Sequence, residues 1–92
     1  MKDKILNYLK GKVELKQNQN HIAVKLGKHC IAEIYEGQIA ISDKYISQDI
    51  RKCGKYTKQN FKNNLYFKFK DMEEETFEAI IRALNILIEE YK

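Results

Sequence analysis

Between Val13 and Ile41, apolar residues recur at every second position in short segments that are separated by turns. Alternation of this kind places apolar side chains on one face of a β-strand and polar side chains on the other. The third segment carries two alternating sets, with Cys30, Ala32 and Ile34 on one face and Ile31, Glu33 and Tyr35 on the opposite one. Because the turns contain only two to four residues, the segments predict an antiparallel meander.

Helical patterns flank this meander on both sides. The spacing predicts a short helix from Asp3 to Lys10, with Gly11 as the residue that ends it. Near the C-terminus, apolar residues recur at intervals of three and four from Phe77 to Tyr91, which predicts a long amphipathic helix. Asp71 followed by Glu74 is typical of a capped helix start.

The segment between the meander and the long helix contains one further strand and a less regular stretch. Leu65, Phe67 and Phe69 alternate with polar neighbours, which predicts a half-buried strand. Ser47 is expected to cap a short helix that ends at Gly54, and the residues from 55 to 64 are expected to form an exposed loop.

The chain has 92 residues, which predicts one domain over residues 1–92. A sheet with one apolar face and two helices to cover it gives an α+β fold, in which both helices pack on the same face of the meander. The opposite face is then expected to lie in solvent.

Charge is distributed unevenly along the chain. Residues 1–70 contain 15 Lys and Arg residues against 6 Asp and Glu, whereas residues 71–92 contain 2 against 7. No acidic residue lies between positions 50 and 70, a segment that also contains several aromatic residues. Cations neutralise phosphates and aromatic rings stack on bases, so this composition favours nucleic-acid binding. The residues expected to contact a nucleic acid or a protein partner are Arg51, Lys52, Lys55, Tyr56, Lys58, Lys62, Tyr66, Lys68 and Lys70.

Catalytic and metal-binding patterns are weak by comparison. The two histidines and two cysteines have no spacing typical of a metal site, so no metal or other cofactor is expected. Glu14-Leu15-Lys16 matches half of a nuclease motif but has no acidic partner on a preceding strand. A nucleophilic cysteine requires a base beside it. Cys53 has basic neighbours, which favour the thiolate, but no histidine lies near it in the sequence. The sequence therefore predicts a non-catalytic binding domain.

The residues from His21 to Ile34, together with a late strand that leads into an acidic C-terminal helix, resemble the small MmcQ/YjbR-like α+β domains. That resemblance implies an α+β fold and favours nucleic-acid binding. It carries over no individual site residue.

Two classes of partner remain open at this point. The basic and aromatic surface fits a nucleic acid or a nucleoprotein. It also fits a nucleic-acid-binding protein, as in a phage-type anti-defence inhibitor that blocks a bacterial nuclease. Self-association through an uncovered sheet edge, giving a homodimer, is a further expectation.

Location is predicted from what the sequence lacks. No apolar run follows the charged N-terminal residues, and no segment is long and apolar enough to span a membrane. A cytoplasmic protein without a membrane partner is therefore expected.

Overall fold

The computed structural model describes residues 1–42, 57–58, 64–70 and 72–91. These residues form two helices and six strands: α1 (Lys2–Leu9), β1 (Glu14–Gln17), β2 (Ile22–Leu26), β3 (His29–Ile34), β4 (Gln38–Ser42), β5 (Thr57–Lys58), β6 (Asn64–Lys68) and α2 (Glu74–Tyr91). The short helix predicted from Ser47 to Gly54 lies outside the described residues.

The six strands form one sheet in the order β1-β2-β3-β4-β6-β5, and every neighbouring pair is antiparallel. The first four strands form the predicted meander. Strand β6 pairs with β4 and lies between it and the short edge strand β5. The prediction of a loop from 55 to 64 was wrong for Asn64, which begins β6, and for Thr57–Lys58, because two residues are too few for alternation to be visible in the sequence.

Both helices pack on the same face of the sheet, which we call the helix face, and the opposite side is the outer face. Helix α1 contributes Ile5 and Leu9 to the core, and Tyr8 donates a hydrogen bond from its Oη to Asn85 Oδ1 of α2 at 3.0 Å. The core residues contributed by the sheet include Val24, Ile34, Ile39, Ile41, Leu65 and Phe67. This arrangement confirms the α+β fold with two helices on one face.

The alternation of faces is interrupted in β3 by a β-bulge. Val24 pairs with Ala32 and Lys25 pairs with Cys30, so Ile31 has no partner across the β2–β3 ladder. An extra residue of this kind shifts the side chains that precede it to the opposite face. Ile31 is therefore fully buried in the core, and its predicted position on the face of Glu33 and Tyr35 was wrong.

Helix α2 begins later than the capping pattern predicts. The amide of Phe77 donates to the carbonyl oxygen of Glu73 at 3.0 Å, which makes Glu73 the residue before the helix. The predicted N-cap at Asp71 is therefore two residues too early. Along the buried side of α2 lie Ala79, Ile80, Ala83, Leu84, Leu87 and Ile88. Neither helix in the described part of the chain is long and apolar enough to cross a membrane.

Candidate functional site

The outer face contains a row of residues that are paired in register across five strands. The pairs connect Lys16 on β1 to Ala23, Glu33, Ala40 and Tyr66 on the strands that follow in the sheet. Ala23 and Ala40 are almost fully buried despite facing away from the helices, because longer side chains stand on either side of each. Glu33 therefore lies at the middle of the outer face.

Glu33 joins two other side chains into a polar cluster. Its Oε2 lies 3.1 Å from His21 Nε2, and its Oε1 accepts a hydrogen bond from Tyr35 Oη at 3.3 Å. The second ring nitrogen of His21, Nδ1, lies 2.8 Å from Asn20 Oδ1. Asn18 Nδ2 also lies 3.1 Å from His21 Nε2, so the imidazole connects Asn18, Asn20 and Glu33 in one polar network.

Three aromatic rings follow one another across this cluster. The ring centroids of His21 and Tyr35 are 5.2 Å apart, and those of Tyr35 and Tyr66 are 6.4 Å apart. Both distances lie in the range in which tilted rings attract each other. We call His21, Tyr35 and Tyr66 the aromatic row.

The phenol of Tyr35 stays protonated over the physiological pH range. Burial, followed by the nearby charge of Glu33, raises the pKa of Tyr35 to about 12. The neutral hydroxyl is a hydrogen-bond donor, and it is held toward the carboxylate of Glu33. Tyr35 therefore supplies a fixed ring and not a base.

A shallow depression of about 260 Å³ lies beside the cluster and is bounded by Cys30, Glu33, Ala40 and Asn64, among others. Partial burial of the sulfur atom, together with the charge of Glu33, raises the pKa of the Cys30 thiol, although the residue as a whole is exposed. The thiol donates to the carbonyl oxygen of Ala32 at 3.4 Å. A raised pKa disfavours the thiolate, so the depression does not present an activated nucleophile. No group of three potential ligands that could hold a metal ion occurs among the described residues.

The predicted contact residues occupy different environments. Lys68 and Lys70 are exposed, and Lys68 lies at the end of β6 on the outer face. Tyr66 is on the same face but only 6% exposed, so little of its ring is accessible for stacking. It lies between Ala40 and Thr57 in the sheet, where its ring supports Tyr35. Lys58 belongs to the edge strand β5, and Arg51, Lys52, Lys55, Tyr56 and Lys62 lie outside the described residues.

Tyr35 was not among the predicted contact residues, although the sequence does indicate the face on which its ring lies. Tyr35 follows Glu33 by two positions, so an extended backbone places both side chains on one face. The side chain of Tyr35 is half-buried, which leaves part of it accessible on the outer face. Tyr35 is therefore more accessible on this face than Tyr66.

Comparisons of this chain with protein-family models, with curated proteins and with solved structures found no match.

Proposed function

We propose that this chain is a non-catalytic domain that binds single-stranded nucleic acid on the outer face of its sheet. The observation that supports the proposal most directly is the composition of that face. The aromatic row crosses its middle, while Lys16, Lys25 and Lys68 stand on the same face and both described helices pack on the other.

A single strand fits this surface better than a duplex. Recognition of single strands combines cations that follow the phosphates with rings on which bases stack. Reading a duplex by its major groove instead requires a helix or a ribbon that enters it. In the described part of the chain the two helices lie on the opposite face, and the long one carries acidic residues at its start. That helix would repel phosphate.

Glu33 determines where the sugar-phosphate backbone can run. Its carboxylate lies in the middle of the outer face and would repel a phosphate placed over it. The phosphates are therefore expected to follow the lysines, with Lys68 and Lys70 on one side of the aromatic row. A base placed over Tyr35 is then held next to Glu33, which accepts hydrogen bonds from exocyclic amino groups.

The basic segment from Arg51 to Lys70 extends the same proposal along the chain. Its last two lysines, Lys68 and Lys70, are the exposed cations at the end of β6. The other basic residues of the segment would add phosphate contacts and strengthen the dependence of binding on salt concentration.

The experiment compares two matched double variants by fluorescence anisotropy with a labelled single-stranded oligonucleotide. Lys68→Gln with Lys70→Gln removes two charges on the proposed surface, and Lys4→Gln with Lys10→Gln removes two exposed charges of the α1 region. The first variant is expected to bind more weakly and to reduce the salt slope by about 1.4, from about 0.7 per contact. Equal binding by the two variants would overturn the assignment of this surface.

A second pair of variants tests the stacking ring. Tyr35→Phe keeps the ring, whereas Tyr35→Ala removes it. We expect Tyr35→Phe to bind as the wild type does, and Tyr35→Ala to lose about tenfold or more, as is typical for one stacked base. Circular dichroism of both variants separates lost binding from lost folding.

The acidic side of the molecule supports a second candidate function, the binding and inhibition of another protein. On helix α2 the exposed surface combines several glutamates with Ile86, whose side chain is 54% exposed. An apolar residue surrounded by charge is typical of a protein contact, and the acidic residues would complement a basic groove. Parallel pull-downs from a bacterial host lysate, one without and one with nuclease digestion, test this function. A stoichiometric protein partner that is lost in Ile86→Asp would support it, and recovery of nucleic acid alone would contradict it.

A further inference from the structure

Strand β1 forms one end of the sheet, and in the described part of the chain it pairs only with β2. An edge strand presents backbone N–H and C=O groups that have no partner within the sheet. The four residues of β1, from Glu14 to Gln17, carry one apolar side chain between two opposite charges.

The turn between β1 and β2 fixes which backbone groups point outward. The amide of Asn18 donates to the carbonyl oxygen of His21 at 2.8 Å, so these two residues form a hydrogen-bonded pair. Hydrogen-bonded and non-hydrogen-bonded pairs alternate along an antiparallel ladder. Lys16 with Ala23 and Glu14 with Lys25 are then hydrogen-bonded pairs. The N–H and C=O groups of Leu15 and Gln17 therefore point away from β2, to the free edge.

We propose that two copies of this chain dimerise by antiparallel pairing of their β1 strands around a two-fold axis at Leu15. Each Leu15 then donates one backbone hydrogen bond to the other copy and accepts one from it, using the groups that point outward. The two sheets join into one continuous sheet, and the half-buried side chains of the two leucines meet on the helix face.

The charges of β1 select this register. With the axis at Leu15, Glu14 of each copy lies opposite the partner's Lys16 in a non-hydrogen-bonded pair, where side chains approach closely. The symmetry produces this attraction twice. Moving the axis to Lys16 would place two lysines opposite each other, and moving it to Glu14 would place two glutamates opposite each other. Like charges in that position destabilise a sheet, so this short strand is complementary to itself in one register only.

A second copy of this chain is therefore the partner that fits this edge best. Charged residues on an edge strand oppose pairing with most other strands. Here the same two charges favour a second copy of their own strand. Lys16 belongs both to this edge and to the proposed nucleic-acid surface. The dimer is expected to form in the absence of nucleic acid, so its test is separate from the test of the proposed function.

Charge reversal measured by sedimentation velocity over a range of protein concentrations tests the dimer without any ligand. The wild type is expected to shift reversibly from its 10.9 kDa monomer to twice that mass. Glu14→Lys and Lys16→Glu each place like charges opposite one another, and each should raise the dimer Kd about tenfold or more. The double variant E14K/K16E restores the opposite charges with their signs exchanged, so its Kd should return to within about threefold of the wild type.

A backbone variant provides the control for folding. Leu15→Pro removes an outward N–H that makes no bond to β2, so it should abolish the dimer and leave the circular dichroism of the monomer unchanged. A wild type that stays monomeric at high concentration would overturn the proposal. So would a double variant as weak as the single ones, or a Leu15→Pro variant that still dimerises.

Discussion

Tyr35 donates a hydrogen bond from its Oη to Glu33 Oε1 at 3.3 Å, and both side chains face away from the helices. Glu33 also contacts His21 through its other oxygen at 3.1 Å. One carboxylate in the middle of an open sheet face therefore contacts two rings that are themselves neighbours. These two contacts favour one arrangement of the three side chains on the outer face.

The raised pKa of Tyr35 predicts how stability changes at high pH. Below pH about 10 the phenol is protonated in both the folded and the unfolded state. Above that value the unfolded chain loses this proton first, whereas folded Tyr35 holds it up to about pH 12. The free energy of unfolding should therefore fall as pH rises through this window. Urea denaturation at several pH values should show a shallower fall for Tyr35→Phe, and parallel curves for the two proteins would contradict the assignment.

The bulge in β3 predicts that substitutions at two neighbouring positions change the free energy of unfolding by very different amounts. Ile31 is fully buried, so Ile31→Ala should reduce the free energy of unfolding by about 3 kcal/mol. Cys30 is exposed, so Cys30→Ala should change it by less than about 0.5 kcal/mol. Uninterrupted alternation would place Cys30 in the core and Ile31 outside it. Denaturant titration of both variants distinguishes the two arrangements, because the larger loss must fall on Ile31.

The end of α1 depends on a glycine with a left-handed backbone. Gly11 has a φ of 83°, which other residues adopt only with strain. We expect Gly11→Ala to lower the free energy of unfolding by about 1 kcal/mol. Gly37 is the matched control, because its φ is not in that region and a Cβ would meet no atom within 4 Å. Thermal denaturation should show a clear loss only for Gly11→Ala, and equal losses would contradict this account.

Much of the fold could be predicted from the sequence because its elements are strongly periodic. The meander follows from alternation and short turns, and the long helix follows from apolar spacing between Phe77 and Tyr91. The position of Ile31 could not be predicted. A bulge is one extra residue in the pairing of two strands, and the sequence of one strand does not show it.

Prediction of the site was limited by neighbours that are distant in the sequence. The alternation of β6 placed Tyr66 on the outer face correctly, but its burial depends on the strands that lie beside β6 only in the folded sheet. The cluster around Glu33 likewise requires the pairing of β2 with β3, which brings His21 within reach. The exposure of a side chain depends on its neighbours in the assembled sheet, whereas alternation in the sequence indicates only which face of the sheet the side chain lies on.

Nucleic-acid binding by the outer face is tested most directly by titrating the wild-type protein into labelled single-stranded DNA and RNA at several salt concentrations. Binding is expected at low salt and should weaken by about 0.7 log units per log unit of salt for each phosphate contacted. Binding to a duplex of the same sequence should be weaker, because a paired base cannot stack on Tyr35. Binding to neither nucleic acid at low salt, or affinity that does not change with salt, would contradict nucleic-acid binding by the outer face.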